Sequence, residues 1–347
     1  MSIEAKQISE VLKNWDFAGA SVTAVKQGLI NRTFVVERED RKKGVLQMLH
    51  PAIDPVTNEN LENVTSHLKS QGMITPELVR PNSGELFVNQ AGAIWRMLTY
   101  VDGKAFDSLH TLKMASSAGA LLGILHRNLG CYRGEFRAVS SRKVDFRHRL
   151  KTLAIVFERS NSSVHREEAQ EIYSTFKKYA DEIEDLAYGP IQLVHGDPKI
   201  SNLLFENVGD EAVCFVDLDT LAFMPVSLEL GDAMRSWCNP RLEDDPRSHF
   251  NLDFFKNALQ SYVSHRGRGC TQKVVRLVVG STIRIYLDLV ARFLIDAMEE
   301  SYFGWDSIKY ASRGEHNLAR ARGQMSAMVS LCQKREEAER IAADCFP

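Results

Sequence analysis

The sequence predicts an α+β fold in two lobes: a small sheet-plus-helix lobe over residues 1–101, then a larger, mainly helical lobe over residues 102–347. Three observations carry this. Before residue 105 or so, short β-rich runs alternate with turns. After it, helical periodicity dominates, with a single β-rich interruption near residue 200. At roughly 150 residues per domain, a chain of 347 residues has room for two such lobes.

The elements follow in order. Ser21–Val25 and Thr33–Glu37 read as strands flanking the loop Lys26–Arg32, and the charged turn Arg38–Lys43 leads to a third strand, Val45–Leu49. A helix follows, with Asp54 as its N-cap, Pro55 at its first position, Leu61, Val64 and Leu68 on one face and Gly72 as its stop. Leu86–Val88 and Ile94–Tyr100 make a hairpin pair, and Val101-Asp102-Gly103 suits a hinge. Beyond the hinge, helices are expected over Leu112–Leu129 and Arg166–Glu184. A compact β-rich stretch runs from Gln192 to Asp219. Further helices are expected over Leu252–Ser264, Val274–Met298 and Leu318–Ala342.

Composition narrows the function. The 43 basic and 45 acidic side chains nearly cancel, which argues against a nucleic-acid binder. None of the six cysteines stands in a C-x-x-C pair, so a zinc ribbon or a redox dithiol is unsupported and reduced, mostly buried thiols are expected. Arg276, Arg284, Asp288, Arg292 and Asp296 interrupt the longest apolar region at intervals that no bilayer tolerates. The N-terminus shows no basic head before an apolar core, so the expectation is a cytoplasmic monomer or homodimer with no membrane partner.

The chemistry concentrates in residues 193–220. Two short apolar strands, Leu203–Phe205 and Val213–Val216, form a hairpin whose flanking turns can face one cleft. His195, Asp197, Lys199 and Asn202 lie on the first turn, Asp217 and Asp219 on the second. Asp197 can accept a proton or orient a hydroxyl. Asn202 and Asp217 offer few, oxygen-only ligands, which suits Mg²⁺ sharing its shell with water and phosphate. Lys199 can neutralise charge on a transferring phosphoryl group, so the set fits phosphoryl transfer. His195 reads as a structural residue of the turn, His126 as a cap or core residue, Asp232 with Arg235 as scaffold at a helix start, and Glu243–Asp245 as a solvated loop. A buried Arg292 needs an anion: Asp288, Asp296, or an acceptor in the cleft.

His195-Gly196-Asp197 through Asn202, with Val216-Asp217-Leu218-Asp219, resembles the motif of the aminoglycoside phosphotransferase and choline kinase superfamily, relatives of the protein kinases. Gly28–Phe34, Val45-Leu46-Gln47, Leu61–Thr65, Trp95-Arg96, Gly231–Arg235, Arg292–Asp296 and His316–Ala321 extend the resemblance to the N-acetylhexosamine 1-kinase-like branch, over residues 20–330 or so. The resemblance implies a protein-kinase-like fold with a small antiparallel sheet, and an ATP- and Mg²⁺-dependent small-molecule kinase. It makes Asp197 the base and places Lys199 near the γ-phosphate. It makes Asn202 and Asp217 the metal ligands and assigns Asp197 and Arg292 to the acceptor, a sugar with its anomeric hydroxyl as one option. Gly28, Asn31 and Thr33 would cover the phosphates. Glu62 would sit on the mobile helix facing the third strand. Met97, Thr99 and Tyr100 would offer backbone groups to adenine.

Two departures stand out. Gln47 holds the position where kinases present a lysine, and Lys26, Arg32, Lys104 or Lys199 would then supply the charge. Gly196 precedes the base where the branch often has asparagine. The competing expectations are a choline, homoserine or aminoglycoside kinase on the same fold, and a nucleotide-binding regulator without activity. A choline site would call for an aromatic cage, with Trp237, Tyr286, Trp305 and Tyr310 available.

Overall fold

Alternation along the strands divides the first lobe into two faces. Strands β1 (Ser21–Ala24), β2 (Arg32–Glu37) and β3 (Lys43–Met48) run antiparallel, and β6 (Ala93–Thr99) pairs with β3 so that Gln47 lies opposite Arg96. The two short strands β4 (Leu78–Val79) and β5 (Val88–Gln90) both pair with β6, completing a six-stranded antiparallel sheet. The β5–β6 turn has Ala91 and Gly92 both at positive φ, the two-residue hairpin geometry that matches strand twist. A computed structural model of the chain describes residues 3–25, 31–137, 146–160, 164–180, 189–267 and 272–345, so Gly28, Lys26 and Cys270 lie outside the described residues.

The outer face of this sheet, with Phe34, Val36, Leu46, Trp95 and Met97, packs against Ile8, Val11, Leu12, Trp15 and Phe17. Ile8, Val11 and Leu12 belong to helix α1 (Ile3–Leu12), which the sequence reading missed although its apolar residues fall at i, i+3 and i+4. The inner face, with Val45 and Leu98, meets Leu61 of helix α2 (Thr57–Ser70) and Leu218 from the far lobe. Helix α2 starts later than the expected Asp54 cap. Val56 N–H donates to the Asp54 carboxylate (2.9 Å) and Thr57 N–H to the Asp54 carbonyl (2.9 Å), so Asp54 closes a tight turn that feeds the helix.

The second lobe is helical around one large core. Its helices are α3 (Leu112–Gly130), α4 (Phe146–Arg159), α5 (Arg166–Ala180), α6 (Val226–Trp237), α7 (Leu252–Arg266), α8 (Gln272–Glu299), α9 (Arg313–Gln333) and α10 (Arg335–Asp344). The single helix expected over Leu318–Ala342 is two, broken at the non-helical Lys334, whose Nζ reaches the Phe250 carbonyl at 3.0 Å. Gly231 and Asp232 are inside α6 rather than at its start. A Cβ at Gly231 would come within 2.7 Å of the Ser281 carbonyl carbon, so the glycine lets α6 cross α8 closely.

Strands β9 (Leu203–Phe205) and β10 (Ala212–Phe215) form the expected hairpin, and β7 (Lys104–Ala105), just after the expected hinge, joins β9. Strand β8 (Ile191–Val194), which leads into the His195 turn, pairs with β11 (Ala222–Pro225), which follows the Asp219 turn. Both flanking turns are thereby anchored on the same side. Among the described residues no helix is long and apolar enough to cross a membrane, and three of the five described cysteines are buried, none in a disulfide.

Candidate active site

The first turn, residues 195–202, is held almost entirely through backbone groups. His195 is buried. Its Nε2 lies 2.9 Å from the Val216 carbonyl and so carries the proton, while Nδ1 accepts the Asp197 amide at 3.2 Å. It is a structural residue, as its sequence context suggested. Gly196 has φ +88°, and a Cβ there would lie 1.9 Å from the Thr220 carbonyl oxygen. Glycine at this position therefore answers to close packing of the two turns.

Glu229 of α6, which sequence reasoning did not single out, supports the turn from below. Its carboxylate accepts the amides of His195 (2.9 Å) and Gly196 (3.0 Å), and burial pushes its pKa up to about 7. Two other residues of α6 add to this: Ser236 Oγ accepts the Ile200 amide (3.0 Å) and Trp237 Nε1 donates to the Pro198 carbonyl (2.9 Å). The available signal for Glu229 was a carboxylate set between Leu228 and Leu230 on the apolar first half of the helix.

The chemical groups emerge from this frame. Lys199 Nζ lies 3.1 Å from Asp197 Oδ2. Burial works against the ammonium, but the nearby charges of Asp197 and Asp217 outweigh it and hold the Lys199 pKa above its usual value. Asn202 is buried, with Nδ2 donating to the Asp197 carbonyl at 2.9 Å and lying 3.3 Å from its carboxylate. That orients the amide and turns its oxygen to the other side. Val216 N–H donates to the Asn202 carbonyl at 2.9 Å, stitching the second turn to the first.

Asp217 opens the second turn at φ +63°, ψ +50°, a left-handed conformation uncommon outside glycine. Burial, then the charges of Asp219 and Asp197, push its carboxyl up to about 6. Asp217 is thus an anionic oxygen donor short of positive charge, which together with the neutral oxygen of Asn202 suits a cation with oxygen ligands. Among the described residues no group of three or more His, Cys, Asp or Glu forms a metal centre, so the fit rests on the Asn202–Asp217 pair alone.

Asp219 accepts side chains, not a backbone amide. It forms a two-pronged ion pair with the buried Arg96 (2.6 and 2.7 Å) and accepts Asn31 Nδ2 at 2.7 Å. Arg96 also donates twice to Gln47 Oε1, and Gln47 Nε2 donates to Thr33 Oγ1 at 3.2 Å. Asn31, Thr33 and Gln47, three of the residues assigned to nucleotide, thus meet one another through Arg96 and Asp219.

The remaining candidates are dispersed. Glu62 pairs with Arg80 at 2.8 Å, and it is Asn58, one turn earlier on α2, that reaches Arg96. Lys104 Nζ bonds the Asn207 carbonyl at 2.9 Å. The Met97 side chain is buried on the outer face, the Thr99 amide donates to the Glu77 carbonyl (2.8 Å), and the Tyr100 ring lies under Lys43. Arg292 pairs with neither expected aspartate. Its guanidinium stacks over Phe303, 5.1 Å from the ring centre. Asp288 meets Arg149, and Asp296 accepts the amides of Ser301, Tyr302 and Phe303. The Glu243–Asp245 segment is no solvated loop: Glu243 meets Arg235 and Arg320, while Asp244 accepts from Lys309 Nζ and Tyr310 Oη.

Comparison with solved structures finds the same architecture at low identity. An amicoumacin kinase in complex with AMP-PNP and Ca²⁺ matches with a TM-score of 0.63 at 14% identity, over 94% of this chain and 93% of that one. A microcompartment-associated aminopropanol kinase gives 0.64 at 15%, over 96% and 98%. The choline kinase of Cryptosporidium parvum Iowa II gives 0.60 at 14%, over 99% and 98%. The family model described as the phosphotransferase enzyme family matches residues 21–261, a span that runs from β1 through both turns and into α7. The chain therefore belongs to the phosphotransferase enzyme family and is an enzyme that transfers a phosphoryl group to a hydroxyl acceptor.

Proposed function

We propose that the protein is an ATP- and Mg²⁺-dependent kinase for the hydroxyl of a small sugar, with residues 1–101 as its nucleotide lobe. The observation that carries the reading is the single constellation of Asp197, Lys199 and Asn202 on one turn, joined by the Val216–Asn202 backbone bond to the turn bearing Asp217. Asp197 orients the acceptor hydroxyl and takes its proton. Lys199, kept charged by Asp197 and Asp217, offsets negative charge on the transferring group. Asn202 and Asp217 would hold the divalent cation, which when bound screens the nucleotide phosphates. Because such a transfer is loose, positioning and electrostatics do most of the work.

A sugar fits better than an amino alcohol for a physical reason. An ammonium group needs a carboxylate or an aromatic cage. Asp232 and Glu243 are engaged by Arg235, and Asp244 by Lys309. Of the four cage candidates, Trp237 and Tyr286 are wholly buried in the core, with Tyr286 Oη on the Arg235 carbonyl, Tyr310 stacks on His316, and Trp305 is exposed. The resemblance to N-acetylhexosamine 1-kinase-like enzymes points the same way. The second reading, an amino alcohol, is favoured by the likeness to the aminopropanol and choline kinases. ATP turnover against a panel of hexoses, N-acetylhexosamines, choline, aminopropanol and homoserine decides between them. Phosphorylation confined to the amino alcohols would end the sugar reading.

A further inference from the structure

The usual third-strand lysine is missing, and a buried arginine lies directly across the sheet from its position. Gln47 and Arg96 are register partners on adjacent strands, both on the inner face. Every N–H of the Arg96 guanidinium has a partner inside the protein. Nε donates to Gln47 Oε1 (2.9 Å), Nη1 to Asn58 Oδ1 (3.3 Å) and Asp219 Oδ1 (2.6 Å), Nη2 to Gln47 Oε1 (2.6 Å) and Asp219 Oδ2 (2.7 Å). The side chain is only 2% exposed, so no donor is left over for a phosphate unless an existing bond breaks. Gln47 is oriented for this by Thr33, which accepts from its Nε2 and leaves its oxygen facing the guanidinium.

We propose that strands β3 and β6 have exchanged the site's buried cation, and that Arg96 is a positioning residue that pins the Asp217–Thr220 turn through Asp219, with Gln47 as its required neutral acceptor. A planar guanidinium gripping both carboxylate oxygens fixes orientation as well as distance. Asp219 is two residues from Asp217 on one turn of 3₁₀ helix, so holding the first places the second. Asn31 ties the beginning of β2 to the same carboxylate, and its Oδ1 accepts the His50 amide (3.0 Å) at the end of β3. The latch therefore joins the sheet to the turn that carries the anionic ligand. The consequence for function rests on the reading of Asp217 as that ligand; the latch itself does not.

The exchange makes a counter-intuitive demand. Restoring the ordinary lysine, by Gln47→Lys, removes an acceptor and sets an ammonium beside a buried guanidinium, so it lowers Tm and reduces turnover by about tenfold or more. The swap Gln47→Lys/Arg96→Gln returns one cation and one amide to the pair and recovers a large part of both losses. Arg96→Gln and Asp219→Asn each weaken ATP binding in the presence of Mg²⁺, and the double variant is no worse than the poorer single one, because both remove the same contact. ATP affinity measured in EDTA hardly moves in Arg96→Gln. Arg96→Lys, which keeps the charge but loses the two-pronged grip, falls between parent and Arg96→Gln in Tm. Three results overturn the latch, the first two being a gain of turnover or ATP affinity in Gln47→Lys and additive Tm losses for Arg96→Gln and Asp219→Asn. A loss of ATP affinity in EDTA as large as in Mg²⁺ overturns it in favour of direct phosphate contact. Melting-point coupling needs no nucleotide, so a parent that binds no ATP ends the kinase reading while leaving the latch decided on its own.

Discussion

The two halves of the site are built in opposite ways. In the turn 195–202, the proposed base, cation and amide ligand come from six consecutive positions, Asp197 to Asn202, and are shaped by bonds among neighbours and to α6. On the sheet side, the Arg96 network joins residues 49 and 123 positions apart, and Asn31 reaches Asp219 across 188. A local arrangement survives as a motif in the sequence. A long-range one becomes visible only when strand register and lobe packing are known. The difference also separates chemistry from support: the turn presents groups that can act on a substrate, while the sheet side turns its charge inward.

That contrast can be broken or sharpened by substitution, beginning with the largest effect. Asp197→Asn removes the base and keeps its shape, so steady-state kinetics should show turnover lower by about 10²–10⁴, with a melting curve close to the parent's; parent-like turnover would detach the motif from catalysis. Gly196→Ala tests the turn as a fitted backbone piece. Its positive φ and the Thr220 carbonyl oxygen 1.9 Å from a new Cβ predict a loss of about 2–4 kcal/mol in denaturant unfolding. Parent-like unfolding would mean that the two turns are not closely packed.

Asp217 provides a smaller effect with a definite sign. Its carboxyl titrates at about 6 in the folded chain against an ordinary value of 3.8. The folded state therefore holds more protons than the unfolded state between those values, and stability falls as pH rises through that window. Without a divalent cation, Asp217→Asn should exceed the parent in stability above about pH 6, by about 1–2 kcal/mol after allowing for solvent screening, and match it below about pH 4. Thermal melts across that range check it, and equal pH profiles would remove the crowding of carboxylates as a feature of the site. The smallest effect belongs to Lys104→Ala. Its ammonium sits on the Asn207 carbonyl, so ATP affinity measured by calorimetry should stay within about 0.5 kcal/mol. A larger loss would give the nucleotide a cation from the segment between the lobes.

The legible and hidden parts follow the same line. The first three strands, the helix after them, the hairpin between the two turns and the grouping of Asp197, Lys199 and Asn202 could be read from period and spacing, whereas α1, α4 and the short strand β4 were not. Helix α6 was missed from Val226 onward because Gly231 imitates a start signal, whereas it serves a helix crossing. Trp237 and Tyr286 have the residue types of a cage and the environment of a core, and only burial tells these apart. Arg96 carried a usable signal: an arginine on the inward phase of an apolar strand needs an anion. Its partner, Asp219, could not be named without the fold. Arg292 needed neither Asp288 nor Asp296, because it is only half-buried and lies over the aromatic faces of Tyr302 and Phe303.

Helix α2 has roots on both sides. Val64 and Leu68 belong to the large core of the second lobe, while Leu61 packs with Leu78, Leu98 and Leu218 beneath the sheet. Cutting the chain after the sheet would strip Val64 and Leu68 of their surroundings and leave the larger piece with an uncovered apolar seam. The two lobes thus share the apolar surface of α2, although each also has a core of its own. Because α2 contributes apolar residues to both interiors, heat should melt the two lobes in one calorimetric transition.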